Sequence, residues 1–476
     1  MRMARKAAAV CAALLMLLSA AQAEVPFLVH AADWSLDDVP VELDVKAAVE
    51  AHMPFDADRL AMLTPITDLL SMKITTGSDA GKVSIGIDQQ EILSLAYNGS
   101  NAQLSCMPEV TYTAQEAPLG LLLGTDVSGP DNGYALLGLA PEGESLLRDG
   151  RALLTMLPEA FETYGKKSLN GINVSGYGKA TYRIDYNFAE SKAGTVKQLL
   201  LEYCPEGWLK QIIESLTFKG KQSFRLYFTA EDEIIRLEYN GGFGPEGDIR
   251  TGKLVGRFLH NESIDKDYIE LTTPAKKGKN KNNLTFERTV ETNKQGVRTV
   301  VGDYKYTVTK DNVTSVWAGD FSLNNAFTEA ADIITGEATF QTKLNDAERY
   351  RGETYTPELT ISGTAEAPEI SGTLTVCEKF GNNLMTKDKK TFKVTDKAVL
   401  SIAMHRAEPF VMTETAQRID LSGMDEAGLN ATQKHVSEAI ATTLVRELIG
   451  RLGKDAAWFF QDLPEDAVQK IVDAAK

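Results

Sequence analysis

Residues 222–242 read Gln-Ser-Phe-Arg-Leu-Tyr-Phe-Thr-Ala-Glu-Asp-Glu-Ile-Ile-Arg-Leu-Glu-Tyr-Asn-Gly-Gly. Phe224, Leu226 and Phe228 alternate with Arg225, Tyr227 and Thr229, and a second run, Ile234–Tyr239, follows at once. Side chains of a strand point alternately to opposite faces, so a period of two marks a ribbon with one packed side and one wet side. Asn240-Gly241-Gly242 then supplies residues that accept a positive φ, the chemistry of a hairpin turn. The same grammar repeats from 217 to about 405. Its runs include Lys253–Leu259, Tyr268–Thr273, Leu284–Val290, Val297–Val308, Val313–Leu323, Leu359–Gly363, Ile370–Val376 and Val399–His405. Strands at this spacing predict a large antiparallel meander with a polar outer face.

A shorter meander precedes it. Met72–Thr76, Lys82–Asp88, Glu91–Tyr97, Asn101–Met107 and Val110–Thr113 alternate, and Asn98-Gly99-Ser100 is a strong hairpin signal. Before this, residues 24–71 read as an acidic lead-in and then a helix capped by Asp56 or Asp58, which Pro65 kinks or breaks. Helical periodicity returns at Glu142–Tyr164, where Pro158 is expected to divide the helix, and at Ser191–Tyr203 and Glu206–Ser215. At the C-terminus, Val436, Ile440, Leu444, Leu448 and Leu452 form one apolar stripe, and another helix is expected from Pro464. The fold class is therefore α+β and β-dominated, with helices packed on one sheet face and a helical tail. The organisation read from this is a leader at 1–23, a helix-plus-meander region at 24–165, a large sheet region with two inserted helices at 166–423, and a helical segment at 424–476. Gly165-Lys-Lys-Ser168 marks the boundary between the first two structural regions.

The first 23 residues have the form of a cleavable export signal. Arg2, Arg5 and Lys6 precede an apolar run, Ala7–Ala20, and Ala21-Gln22-Ala23 offers a small-x-small cut site. The apolar run is too short for a bilayer, which needs about 20 residues. Loss of the three cations takes the formal charge from −16 to −19. A field of that sign repels nucleic acid and anionic headgroups, and no transmembrane span is expected in the mature chain. An exported location follows: extracellular, cell-surface associated or periplasmic. Cys106, Cys204 and Cys377 remain after cleavage. They form no CxxC, and either one bridge with a spare thiol or three free thiols would fit.

Motifs for chemistry are sparse. The five histidines, His30, His52, His260, His405 and His435, show no HExxH and no i, i+4 pair, so no metal site is expected. His260 and His405 read as ordinary imidazoles at strand ends. The acidic stretches Asp126–Asp131 and Asp303 to Asp320 do not match a calcium loop. Gly242-Phe-Gly244-Pro-Glu-Gly247 satisfies GxGxxG by letter, but strands flank it on both sides, whereas a dinucleotide site needs a following helix. Ser263-Ile-Asp-Lys266 fits SxxK without the helix that would align the two side chains. The six Asn-x-Ser/Thr triplets, at Asn98, Asn173, Asn261, Asn283, Asn312 and Asn430, read as turn and loop positions. No catalytic residue and no cofactor is assigned. The candidate partner contacts are a basic loop, Lys276, Lys277, Lys279 and Lys281, and an aromatic cluster, Trp458, Phe459 and Phe460. Their expected partners are an envelope polymer, a lipid or another exported protein.

The run Asp56-Ala-Asp-Arg-Leu-Ala-Met-Leu, continued by Asp68-Leu-Leu and a string of hairpins, resembles uncharacterised exported β-rich proteins of bacteria. A long antiparallel sheet holding helices is also similar, more loosely, to periplasmic carriers of lipoproteins. The favoured expectation is a non-catalytic envelope or extracellular binding or structural protein holding an apolar or polymeric ligand against its sheet. The alternatives are an envelope-acting hydrolase using a carboxylate pair and an assembly subunit of a surface structure.

Overall fold

The structure is a computed structural model. It describes residues 40–452 apart from 53–69, 77–79, 88–89, 108–109, 115–117, 124–140, 245–248, 274–280, 311–312, 345–348, 382–392 and the single positions 170, 207, 262, 329, 365 and 414. The export leader, the helix expected after Asp56, Lys276, Lys277, Lys279, Trp458–Phe460 and the helix from Pro464 lie outside the described residues.

The described residues open with a six-strand meander: β1 (Val41–His52), β2 (Leu70–Thr76), β3 (Ala80–Ile87), β4 (Gln90–Asn98), β5 (Asn101–Leu104) and β6 (Val110–Thr113). Helices α1 (Pro118–Leu123) and α2 (Pro141–Ala160) follow, then β7 (Gly165–Ser168), a small separate hairpin of β8 (Asn173–Val174) and β9 (Gly178–Lys179), and β10 (Tyr182–Phe188). Helices α3 (Ala193–Tyr203) and α4 (Trp208–Ser215) lead into the long meander. Its strands are β11 (Thr217–Phe228), β12 (Ile234–Gly244), β13 (Arg250–His260), β14 (Ile264–Thr273), β15 (Lys281–Thr292) and β16 (Arg298–Lys310), continuing through β17 (Val313–Phe327), β18 (Ala331–Leu344), β19 (Arg349–Gly363), β20 (Pro368–Gly381) and β21 (Lys393–Arg406). The short β22 (Gln417–Asp420) and α5 (Glu426–Leu452) close the described chain.

Twenty strands form one sheet. Read across it, β7 is followed by β10 through β21 in sequence order, then β1 through β6, then β22. Every pair is antiparallel except β6–β22. The join between the two meanders is β1 on β21, which runs from Val41↔Arg406 to His52↔Asp396 with one irregularity at Val49/Ala51.

Several local readings change. Residues 41–52 are a strand and not part of an acidic lead-in: Val41, Leu43 and Val45 are buried while Glu42, Asp44 and Lys46 occupy the opposite face. The acidic character of the segment comes from the wet half of an alternating strand. Gly165–Ser168 is a strand hydrogen-bonded to β10. Strand β18 had gone unrecognised, and β19 begins ten residues before Leu359. Pro158 does not divide α2; it sits in the final turn, where only one internal hydrogen bond is lost. Helix α5 starts at Glu426, where the Asp425 carboxylate accepts the Gly428 N–H and caps it.

Pairing registers put almost every large buried side chain on one face. Phe224, Tyr239 and Leu254 lie in one row across β11–β13. Phe286, Tyr304, Gly319 and Phe340 lie in another across β15–β18. Ile370, Met404, Leu43 and Ile74 lie in a third across β20, β21, β1 and β2. We call this the covered face. Helices α2–α4 pack on its β10–β13 flank through Leu153, Leu157, Val196, Leu200 and Ile213, against Tyr186, Phe188 and Leu226. Each such aliphatic side chain contributes about 1.5–3 kcal/mol of burial. Helices α1 and α5 pack on the other flank through Leu122 and Val436, against Leu104 and Tyr112. Between the flanks, two clusters on β15–β21 and β1–β3 consist of strand residues alone.

The opposite face is polar across β18–β20, while on β11–β12 it buries Tyr227 and Ile235 against Val174, Tyr177 and Ala180 around the β8–β9 hairpin. Across β18–β20 it carries Thr335, Glu358 and Thr373 in one row and Thr339, Thr354 and Cys377 in another. Two glycines on the covered face admit rings that a side chain would exclude. A Cβ on Gly302 would stand 2.3 Å from the Phe321 ring, and one on Gly319 would stand 2.6 Å from the Tyr304 ring.

Candidate functional site

The covered face changes character along its strands. At one end, the row Asp332, Ile361, Ile370, Met404 and Leu43 is fully buried. Near the other end, the register row Tyr306, Trp317, Thr342, Arg351 and Phe380 crosses β16–β20, and there Trp317 is 37% exposed. The face is thus closed at one end and open at the other. Two polar stations interrupt it.

The first station fastens α2 to the sheet. Asp267 on β14 is 1% exposed, and its Oδ2 accepts hydrogen bonds from Arg151 of α2 at 3.1 Å and from the buried Arg288 of β15 at 3.0 Å. His260 Nδ1 lies 3.0 Å from Asp265 Oδ1, while its Nε2 stands 3.6 Å from Asp267 Oδ1, beyond a hydrogen bond. The Phe258 ring stacks on the imidazole with centroids 6.3 Å apart. Arg151 also reaches Asp265 at 3.6 Å. Burial pushes the Asp265 carboxyl up, but the His260 hydrogen bond and the Arg151 charge outweigh it and hold it below its ordinary 3.8. Asp265, held below its ordinary value, is poorly suited to act as a general acid at neutral pH. This station is a clamp.

The second station lies at the open end. Arg351 donates its Nη2 to Glu353 at 2.9 Å and its Nε to Glu378 at 2.8 Å, and the Tyr355 hydroxyl donates to Glu353 at 2.8 Å. Glu353 and Glu378 are register partners on β19 and β20, which sets their Cβ atoms about 5 Å apart. Spacing alone would suit a glycosidase pair. However, both carboxylates are already engaged by the Arg351 guanidinium, through Nη2 and Nε. One register row along the strands, the Tyr306 and Trp317 rings stack at 5.5 Å and 27°. Burial raises the Tyr306 hydroxyl's pKa, partly offset by the Arg250 charge.

Of the residues singled out from sequence, Lys281 is described. It begins β15 in register with Thr309, exposed. Asp303 and Asp320 are cross-strand partners on the polar face. Burial and the charges of Glu287 and Asp320 raise the Asp303 carboxyl above its ordinary value. Among the described residues no group of three or more His, Cys, Asp or Glu is placed to hold a metal. Gly242 and Gly244 end β12, and Lys266 of the SxxK match pairs with Glu287 at 3.0 Å. Cys106, Cys204 and Cys377 are free thiols, and burial pushes Cys204 up to about 11. His260, read as an ordinary strand-end imidazole, is instead part of the clamp. Both stations escaped the sequence reading: Arg151 and Asp267 are 116 residues apart, and Arg351 meets Glu378 only through strand register.

No protein-family model matches the chain, and no curated protein sequence matches it. Among solved structures it is similar to the outer-membrane-expressed OmpT of Vibrio cholerae, at 10% identity and a TM-score of 0.28, over 78% of this chain and 96% of that one. A loop L8 deletion mutant of OmpT gives 8% identity and 0.24, over 77% and 96%. Wzi, an outer-membrane protein involved in group 1 capsule assembly in Escherichia coli and described as a carbohydrate-binding β-barrel, gives 8% and 0.13, over 79% and 86%. No helix among the described residues is long and apolar enough to cross a membrane. A strand-built membrane barrel turns an apolar band outward. Here the polar face across β18–β20 lies opposite the apolar one.

Proposed function

We propose that the protein acts outside the cytoplasm, in the envelope or beyond it, as a non-catalytic binding protein that holds an apolar or polymeric ligand at the open end of its covered sheet face. The observation that carries this reading is the gradient along that face, from the fully buried row at Asp332–Leu43 to the row Tyr306–Phe380, where Trp317 and Arg351 are exposed and Tyr306 and Phe380 are half-buried. A surface that is only core would be closed at both ends, whereas a binding surface combines apolar walls with a few placed polar groups. The export-type leader supports the location. The test is native mass spectrometry of the processed protein purified from the exported fraction, before and after denaturing extraction. A reproducible co-purified mass released by denaturation is expected; its absence from repeated preparations rejects the reading.

An assembly-subunit reading draws on the sheet edges. Among the described residues, β7 and β22 each pair on one side only, and an unpaired strand edge is a template for another chain. It predicts a size in light scattering that grows with protein concentration. Lys166 and Lys167 on β7 oppose it, because edge lysines discourage strand addition.

A further inference from the structure

We infer that the row Tyr306–Trp317–Arg351–Phe380, with Glu353 and Glu378 beside it, is a subsite for an uncharged pyranose polymer. This rests on the binding reading above and names the ligand class. Three features of the station carry it.

The first is the stacked Tyr306–Trp317 pair, whose indole remains 37% exposed while Phe321, four residues on along the same face, is buried. An exposed indole backed by a second ring offers a rigid apolar plane with a polar edge, the shape that receives the C–H face of a sugar ring. The second is the polar group in the same row. Arg351 stands two strands from Trp317, about 10 Å at the usual strand spacing, the reach of a disaccharide lying across the strands. Its guanidinium is half exposed and already fixed by Glu353 and Glu378. It can therefore donate to a hydroxyl without first losing side-chain freedom, and the two carboxylates accept from neighbouring hydroxyls. The third is charge. The Arg351 guanidinium already faces two carboxylates, and the whole chain carries −16. An anionic polymer is repelled, and an acyl chain would desolvate these three charged groups without replacing their hydrogen bonds. An uncharged polyhydroxylated chain satisfies both constraints.

The test uses the processed full-length protein in affinity electrophoresis and pull-down against cellulose, chitin, laminarin and dextran, with polygalacturonate as the anionic arm. At least one neutral polysaccharide should retain the protein. Trp317→Ala should weaken that retention about tenfold, the upper range for one aromatic contact, and Trp317→Phe by less. Arg351→Gln should weaken it too, while Thr354→Ala on the polar face should leave it unchanged. Far-UV circular dichroism confirms that each variant is folded. Retention by none of the four neutral polymers, equal retention of wild type and folded Trp317→Ala, or stronger retention by polygalacturonate would each overturn the assignment. Should a co-purified mass be found while every glycan fails, the subsite is wrong and the broader binding reading survives.

Discussion

Asp267→Asn is the most informative single change, because it removes one charge from the centre of the clamp that holds α2 to the sheet. Asp267 and Arg288 are almost wholly buried and bonded at 3.0 Å. Deleting one member of such a pair leaves its partner's charge uncompensated, at a cost of about 3–5 kcal/mol. Arg151 differs: its side chain is about one-third exposed, solvent screens its pairing, and Arg151→Ala should cost about 1 kcal/mol or less. Hydrogen exchange of the α2 amides reads both. Expressed as local opening, Asp267→Asn should accelerate exchange over residues 141–160 by about two to four orders of magnitude. Arg151→Ala should do so by about fivefold at most. The double variant Asp267→Leu/Arg288→Met should be no worse than the poorer single, since it leaves no orphaned charge between the two positions. Arg151→Ala proving as damaging as Asp267→Asn would refute the burial argument, and unchanged α2 exchange in Asp267→Asn would refute the clamp.

Acid should loosen the same contact. The Asp265 carboxyl is depressed in the fold, so its stabilising contribution is present above its ordinary 3.8 and is lost as pH falls through the lower folded value. Exchange of α2 should therefore rise steeply below about pH 4, and less so in His260→Ala. Tyr239→Phe should destabilise by about 1–3 kcal/mol in chemical denaturation. The Tyr239 hydroxyl donates at 2.6 Å to Gln222 Oε1, and the Gln222 amide is itself fixed to the Lys219 carbonyl at 2.9 Å where β11 bulges against β12. Asp303→Asn should stabilise by about 0.5 kcal/mol at neutral pH, because it ends like-charge opposition across the strands. That gain should vanish in acid, where the wild-type carboxyl is already protonated. At pH 8, a maleimide or iodoacetamide should modify Cys106 and Cys377 well before Cys204, whose thiol is buried and held near 11; equal rates would contradict the packing beneath α3.

The meander was legible because alternation is a local signal. Val110–Thr113 was placed to the residue, and Asn98-Gly99-Ser100 marked the β4–β5 turn correctly. Where charge dominated the wet positions, the signal was misread: Val41-Glu-Leu-Asp-Val-Lys alternates as well as any later strand. In β18 the alternation passes through Gly336 and Ala338, whose small side chains give the packed face little hydrophobic contrast. The stations were not legible at all. Trp317 and Tyr306 are ordinary strand residues until register stacks them, and Arg351 gains two carboxylates only because β19 lies beside β20.

The seam between β1 and β21 governs how this molecule assembles in time. Leu43 pairs with Met404, so the first strand of the chain waits for one made some 360 residues later, and closing so long a loop is slow. A polypeptide threaded outward from its N-terminus would present residues 41–113 to the new compartment with their eventual neighbour still on the far side. Closure of the amino-terminal ribbon would then wait for the penultimate strand, and truncation before residue 393 should leave β1 with a bare oily margin.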